Sequence, residues 1–318
     1  LFLRRYLQDR SKSQAEGRSV RFVVWNNWLM LLLTFVVLAG TLFPFFSGLL
    51  SDRAITLKPE YFTKITAPGG LLLLLLLGVC PHLIHHGLGR SWRLFGAVLA
   101  GVAAALIWGL AKNLAVAYLV VSAFVGLNLA ADFVQRYIRR RASAGVRSLS
   151  PAFRWYGARI VHIGALLTFV GIAGSGGFDV EKQVALRPGE RAQVGEFELA
   201  YDDLDASHGP NFTAVTAAVS VYRGGKRIGE LSPAVAFYGQ SDKRTSEVDI
   251  RRTLASDLYV ALTEVDNATK LINLTIFIKP LINWIWIGSG LMVAGAVLVF
   301  AAAVGRGRGN SQEDMVDA

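Results

Sequence analysis

"RIVHIGALLTFVGIAGS", residues 159–175, is apolar almost throughout, yet it carries a histidine, His162, near its start. A continuous apolar run of this length reads as a membrane span. The helical period stops soon after it. From Lys182 onward short extended runs alternate with turn signals. One boundary therefore separates a helical membrane region from a β-rich region, and a histidine stands just before it.

The rest of the chain supports that division. Its 318 residues are 53% hydrophobic and have a mean hydropathy of +0.42, which excludes an ordinary soluble domain. Six candidate spans of roughly 17–25 residues run over residues 25–46, 68–85, 92–111, 114–131, 156–174 and 281–304. Lys112 and Asn113 alone separate the third from the fourth, so these two form a tight hairpin or one long helix.

Charge orients the spans. Arg4, Arg5, Arg10, Lys12, Arg18 and Arg21 precede the first span, and Arg90 and Arg93 follow the second. Arg136, Arg139, Arg140, Arg141, Arg147 and Arg154 lie between the fourth and fifth, and Arg306 and Arg308 follow the sixth. These alternate loops share one side, which the positive-inside rule makes the cytoplasm. Residues 175–280 then lie outside. They hold 12 Lys/Arg and 15 Asp/Glu, so the net charge of +10 does not reside there. Arginines flanking membrane spans need no nucleic-acid partner, and the high net charge implies none.

The outer region reads as all-β. "TAVTAAVSVYRGGKRIGELS", residues 213–232, predicts a hairpin turning at Gly224-Gly225. "RPGERAQVGEFELAY", residues 187–201, has a turn at Pro188-Gly189 between extended runs, and "SDLYVALTEV" and "KLINLTIFIKP" read as strands. About a hundred residues of short strands suggest a compact sandwich or barrel. The fold class is thus a polytopic α-helical membrane protein of about six spans, with an extracytoplasmic all-β domain between the fifth and sixth. The expected domains are 1–174, a cytoplasmic segment and five-helix membrane region; 175–280, the β-domain; and 281–318, the final span and tail.

Few residues carry chemistry. Cys80 stands alone, so this chain by itself is no dithiol oxidoreductase. His82, His85 and His86 in "CPHLIHHG" have helical spacing, but no carboxylate or cysteine completes a metal set, and they read as interface anchors. His208 in a Gly/Pro-bearing loop reads as an ordinary exposed residue. Trp284 and Trp286 open the last span as an aromatic belt, and Asp132 at the inner end of the fourth span reaches toward the headgroups. His162 lies about 9 Å into its span from Tyr156, at 1.5 Å per residue. An ionisable residue there is a functional candidate. Gly157, Gly164, Gly171 and Gly174 keep this helix thin, which suits a close partner helix or a flat cofactor. The residues alone leave two readings of His162 open: an axial heme ligand, or a side chain hydrogen-bonded to a neighbouring helix.

An ordered set of segments decides between them. It runs through Asn26-Asn27, "AGTLFPFFSG", the His162-x-Gly164 span, "VALRPGE", "LSPAVAFY", "SDLYVAL" and "KPLINWIWIGSGLMVAGAVL". The order resembles the C-terminal half of the CcmF family, the heme lyases of bacterial cytochrome c maturation, from about Ser19 to Val299. The resemblance implies a protein of the cytoplasmic (inner) membrane, with its β-domain in the periplasm. It would assist covalent attachment of heme to the CxxCH thiols of an apocytochrome c. The implied partners are a holo heme chaperone of the CcmE type, a CcmH-type subunit that presents the apocytochrome, the apocytochrome c itself and membrane lipid. Through "VHIGALL" it also implies that His162 is an axial iron ligand of a heme b that reduces the substrate heme.

The family's tryptophan-rich segment, its two outer histidines and the opposite heme ligand belong to an N-terminal half. The sequence opens on Leu1 and shows none of these, so it is expected to be a truncated or split protein whose other half completes the site. No catalytic residue is assigned, and His82, His85 and His86 take no role from the family. Two other readings stay open: a heme-transfer or scaffold subunit that forms no thioether, and a heme-free sensor or transporter.

Overall fold

The computed structural model of the chain describes residues 2–50, 55–85, 103, 113–141, 149–209, 212–238, 244–266 and 268–316. They form two compact units, Leu1–Phe169 with Gly290–Ala318, and Val170–Ser289.

The helices are α1 (Phe2–Leu50), α2 (Pro59–His85), α3 (Leu114–Arg141), α4 (Leu149–Gly177) and α5 (Asn283–Val316). Each contains a segment long and apolar enough to cross a membrane: Val23–Leu50, Pro59–Gly78, Leu114–Arg136, Phe153–Gly177 and Asn283–Val304. Of the expected span at 92–111 only residue 103 is among the described residues. Helix α3 begins after Asn113, which is non-helical and whose Oδ1 accepts the Ala115 N–H at 2.8 Å. That side-chain cap satisfies a donor the first turn would leave orphaned.

Glycines set the helix approaches in the first unit. A Cβ placed on Gly40 would lie 2.6 Å from the Phe62 ring, and one on Gly69 would lie 2.6 Å from Leu33, so α1 and α2 meet through missing side chains. Gly78 of α2 does the same against Val125 and Phe124 of α3. Leu74, Val121 and Val125 are fully buried there, whereas Trp25, Phe35 and Leu50 on α1 are exposed.

The second unit holds strands β1 (Val180–Leu186), β2 (Arg191–Val194), β3 (Phe197–His208), β4 (Phe212–Arg223), β5 (Lys226–Leu231), β6 (Ala234–Tyr238), β7 (Arg244–Arg251), β8 (Ser256–Asp266) and β9 (Leu271–Pro280). All neighbouring pairs are antiparallel, in the order β1-β9-β8-β7-β6-β4-β3-β2. Strand β4 is long enough to serve two partners: Phe212–Thr216 pairs with β6, and Val219–Arg223 pairs with β5. The β4–β5 turn is the expected one, with Gly224 at φ 58° and Gly225 at φ 76°. Period-2 alternation fills the core. Ile272, Leu274 and Ile276 on β9 all point inward at 0% exposure and pack with Leu258, Val260 and Leu262 of β8 and with Leu199 and Tyr201 of β3.

At the end of β9 the chain turns sharply into α5. Leu281 takes φ 57° and donates its N–H to Ala255 O at 2.9 Å. Asn283 Nδ2 then donates to Thr253 O at 2.8 Å and to Asp257 Oδ1 at 2.7 Å, and Trp284 Nε1 donates to Leu254 O at 2.8 Å. Trp284 is therefore pinned to the loop before β8, which an interfacial belt alone does not require. Trp286 is exposed.

Candidate functional site

Helix α4 opens with Pro151 in its first turn, where the missing N–H costs no helical bond. Eleven residues further on, His162 is half-buried and its Nδ1 lies 2.6 Å from Ala158 O. A carbonyl oxygen can only accept, so Nδ1 carries the proton and donates it. The lone pair then resides on Nε2. Metal-binding histidines are held in this way: one ring nitrogen is anchored to a backbone carbonyl and the other is presented as the ligand. This observation makes His162 a fitting axial ligand for a heme iron.

The turn before His162 holds charge. Arg159 Nη2 meets Asp132 Oδ2 of α3 at 2.7 Å, and Arg159 is only 8% exposed. Asp132 thus pairs across to the next helix, a partner that the sequence reading did not supply. The reason is reach: α3 and α4 lie side by side here, and an unpaired carboxylate inside a span costs more than a paired one. Trp155 sits beneath both cations, with Arg136 Cζ 4.3 Å and Arg159 Cζ 5.2 Å from its ring, and Phe133 meets its edge.

Further along the same helices, a Cβ on Gly126 would contact Leu166, and Tyr118 stacks on Phe169 at 6.0 Å. The Tyr118 hydroxyl donates to Ala67 O of α2 at 2.5 Å. Ser122 is buried on α3, and its hydroxyl has no partner among the described residues. Sequence reasoning missed the pairing of Asp132 with Arg159, although opposite charges near the same ends of adjacent spans were a usable signal.

The other histidines do not join His162. His82 and His85 fall on α2, while His86 lies outside the described residues. His208 is exposed at the end of β3. Among the described residues no three His, Cys, Asp or Glu side chains form a metal-holding group. An axial heme ligand needs no such group.

Two glycines of α4 face α5. A Cβ on Gly157 would lie 2.7 Å from Gly295 O, and one on Gly171 would lie 2.7 Å from Ile285. These positions serve the close partner helix α5.

A helical chain with several membrane-compatible helices and an inserted antiparallel β-sandwich is the architecture these elements define. Residues 177–280 match the family described as the CcmF C-terminal beta-sandwich. Residues 177–280 thus belong to that family, and the chain as a whole is similar to the C-terminal part of the CcmF proteins. It is 33% identical over 289 residues to the cytochrome c-type biogenesis protein CycK of Rhizobium meliloti, covering 87% of this chain and 42% of that protein. It is 30% identical over 310 residues to CcmF of Haemophilus influenzae, covering 92% and 46%. Against CcmF of Escherichia coli K12 the identity is 28% over 275 residues, covering 86% and 42%. The chain thus spans less than half the length of these relatives. A solved structure named Cytochrome c Heme Lyase CcmF shares its fold, with a TM-score of 0.66 at 20% identity, over 87% of this chain and 45% of that one.

Proposed function

We propose that this chain is part of a membrane heme lyase for cytochrome c biogenesis, and that His162 is one axial ligand of a heme b within it. The observation that carries the reading is the Nδ1–H of His162 fixed on Ala158 O, which leaves Nε2 as the ligand. The names of the relatives support the process, since all three are cytochrome c-type biogenesis proteins. A heme bound at His162 would supply one-electron chemistry, as reduction of a substrate heme for attachment to CxxCH thiols would require.

The chain's own residues have definable tasks. Ala158 O holds the imidazole proton, so the ring cannot turn its lone pair away. The Asp132–Arg159 pair ties α3 to α4 one turn below the ligand. A second ligand for that heme would come from residues outside this chain, which spans less than half the length of its relatives. The alternating basic loops support an inner-membrane topology of six spans, counting 92–111, with residues 175–280 in the periplasm. In that arrangement residues 1–174 and 281–318 are the membrane parts. The β-domain there faces a CcmE-type heme chaperone, a CcmH-type subunit and the apocytochrome.

Reduced-minus-oxidised spectra of the full-length protein, including the part this chain does not span, and of its His162→Ala variant test the reading. A heme b band in the parent that is lost in the variant is the expected outcome. A parent without the band would overturn the heme reading, and an unchanged band in the variant would overturn the His162 assignment. Co-expression with an apocytochrome and a stain for covalent heme tests attachment itself.

A further inference from the structure

We infer that Arg159 and Asp132 set the reduction potential of the iron bound at His162, with Arg159 raising it and Asp132 lowering it. The inference rests on the heme reading of His162 given above.

Arg159 precedes His162 by three residues, which puts both on one face of α4, about 4.5 Å apart along the axis at 1.5 Å per residue. The Arg159 side chain is 10% exposed and that of Asp132 23%, so water and salt screen this pair poorly. The charges are also fixed in place. The guanidinium is held by Asp132 at 2.7 Å and lies over Trp155, which Arg136 covers as well.

Stability alone is a poor reason for this pair. A buried ion pair is often no better than a well-packed apolar replacement. Here Arg159 Nε is moreover buried without a hydrogen-bond partner among the described residues. Charges that solvent screens poorly, one turn from a metal ligand, do act on an electron that arrives there. Reduction of ferric to ferrous iron adds one negative charge at the metal. The guanidinium stabilises that added charge and the Asp132 carboxylate opposes it.

The test is an equilibrium redox titration of the heme band in the detergent-purified full-length protein, including the part this chain does not span, with dithionite as the reductant. Dithionite is oxidised as each ferric iron takes up one electron. Parent, Arg159→Gln, Arg159→Lys, Asp132→Asn and the Arg159→Gln/Asp132→Asn double variant are compared. We expect a lower midpoint in Arg159→Gln and a higher one in Asp132→Asn. Arg159→Lys should stay near the parent, and the double variant should fall between the two singles. Unchanged midpoints, or shifts of the same sign in Arg159→Gln and Asp132→Asn, would overturn the inference and leave His162 as ligand. Loss of heme from the charge-conserving Arg159→Lys would also overturn it, because the role would then be one of packing. A parent with no heme band removes the heme reading itself, and this inference with it.

Discussion

Gly157 of α4 and Gly295 of α5 approach so closely that each blocks a side chain on the other. A Cβ on Gly157 would lie 2.7 Å from Gly295 O, and one on Gly295 would lie 2.6 Å from Gly157 O. The obstacle is backbone in both directions, so no rotamer change relieves it. Small residues at such crossings let helices pack where no hydrophobic effect drives association.

Gly157→Ala should therefore destabilise the helical unit by about 1–3 kcal/mol, the usual cost of overpacking. Gly290→Ala on α5 is the control, since a Cβ there meets nothing within 4 Å. It should be neutral or stabilising by up to about 1 kcal/mol, because alanine is the better helix former. Thermal unfolding in detergent, followed by far-UV circular dichroism, separates the two.

The joint between β9 and α5 offers a second test. Asp257 is 1% exposed, and its Oδ1 accepts from Thr253 N at 2.9 Å and Asn283 Nδ2 at 2.7 Å. Asn283→Leu removes one of those donors and should cost about 1–3 kcal/mol. Trp284→Phe deletes one neutral hydrogen bond and should cost about 0.5–1.5 kcal/mol. Trypsin cleavage after Arg251 or Arg252, beside this joint, should quicken more in Asn283→Leu than in Trp284→Phe. Equal rates would contradict the ranking.

The β4–β5 turn isolates a backbone effect. Gly225 has φ 76°, and a Cβ there touches nothing, so the cost of a side chain is conformational alone. Gly225→Val should lower stability by about 1–2 kcal/mol, the penalty of a left-handed L-residue. Gly224→Asn at φ 58° should be nearly silent, because asparagine tolerates that region. Comparing the two unfolding midpoints checks this.

Acid should loosen the sandwich in a definable window. The Leu204 N–H, and then Lys270, hold the Asp203 carboxyl below its usual range. The Thr269 hydroxyl and Ala268 N–H do the same for Asp266. A folded pKa below the unfolded one means the contribution is present above the ordinary aspartate pKa of about 3.9 and is lost as pH falls through the folded value. Stability should thus hold at neutral pH and decline below about pH 4. Asp203→Asn and Asp266→Asn should flatten that decline in acid-unfolding curves.

Local patterns were legible in the sequence because they depend on neighbours along the chain. The Gly224-Gly225 turn, the alternation of Ile272, Leu274 and Ile276 and the apolar runs of the described spans all rest on short-range rules. Relations between distant residues were not. Asp132 reads as a headgroup contact, and nothing in the sequence sets Arg159, 27 positions on, beside it. Trp284 reads as a belt residue, and nothing in the sequence says that Leu254 O accepts its indole N–H. The pairing of β1 with β9 joins strands from opposite ends of the domain, and no periodicity encodes it. For His162 the sequence supplied the residue, while its proton position came from the geometry of one helical turn.

That β1–β9 pairing has a broader meaning. Val180 faces Ile278 across a single strand spacing of about 4.8 Å. The chain therefore enters and leaves the sandwich almost at the same point, as in inserted domains whose ends lie together. The sandwich is a cassette spliced between two helices. Such an insert can lengthen, shorten or be exchanged for another over evolutionary time without asking the flanking helices to move apart.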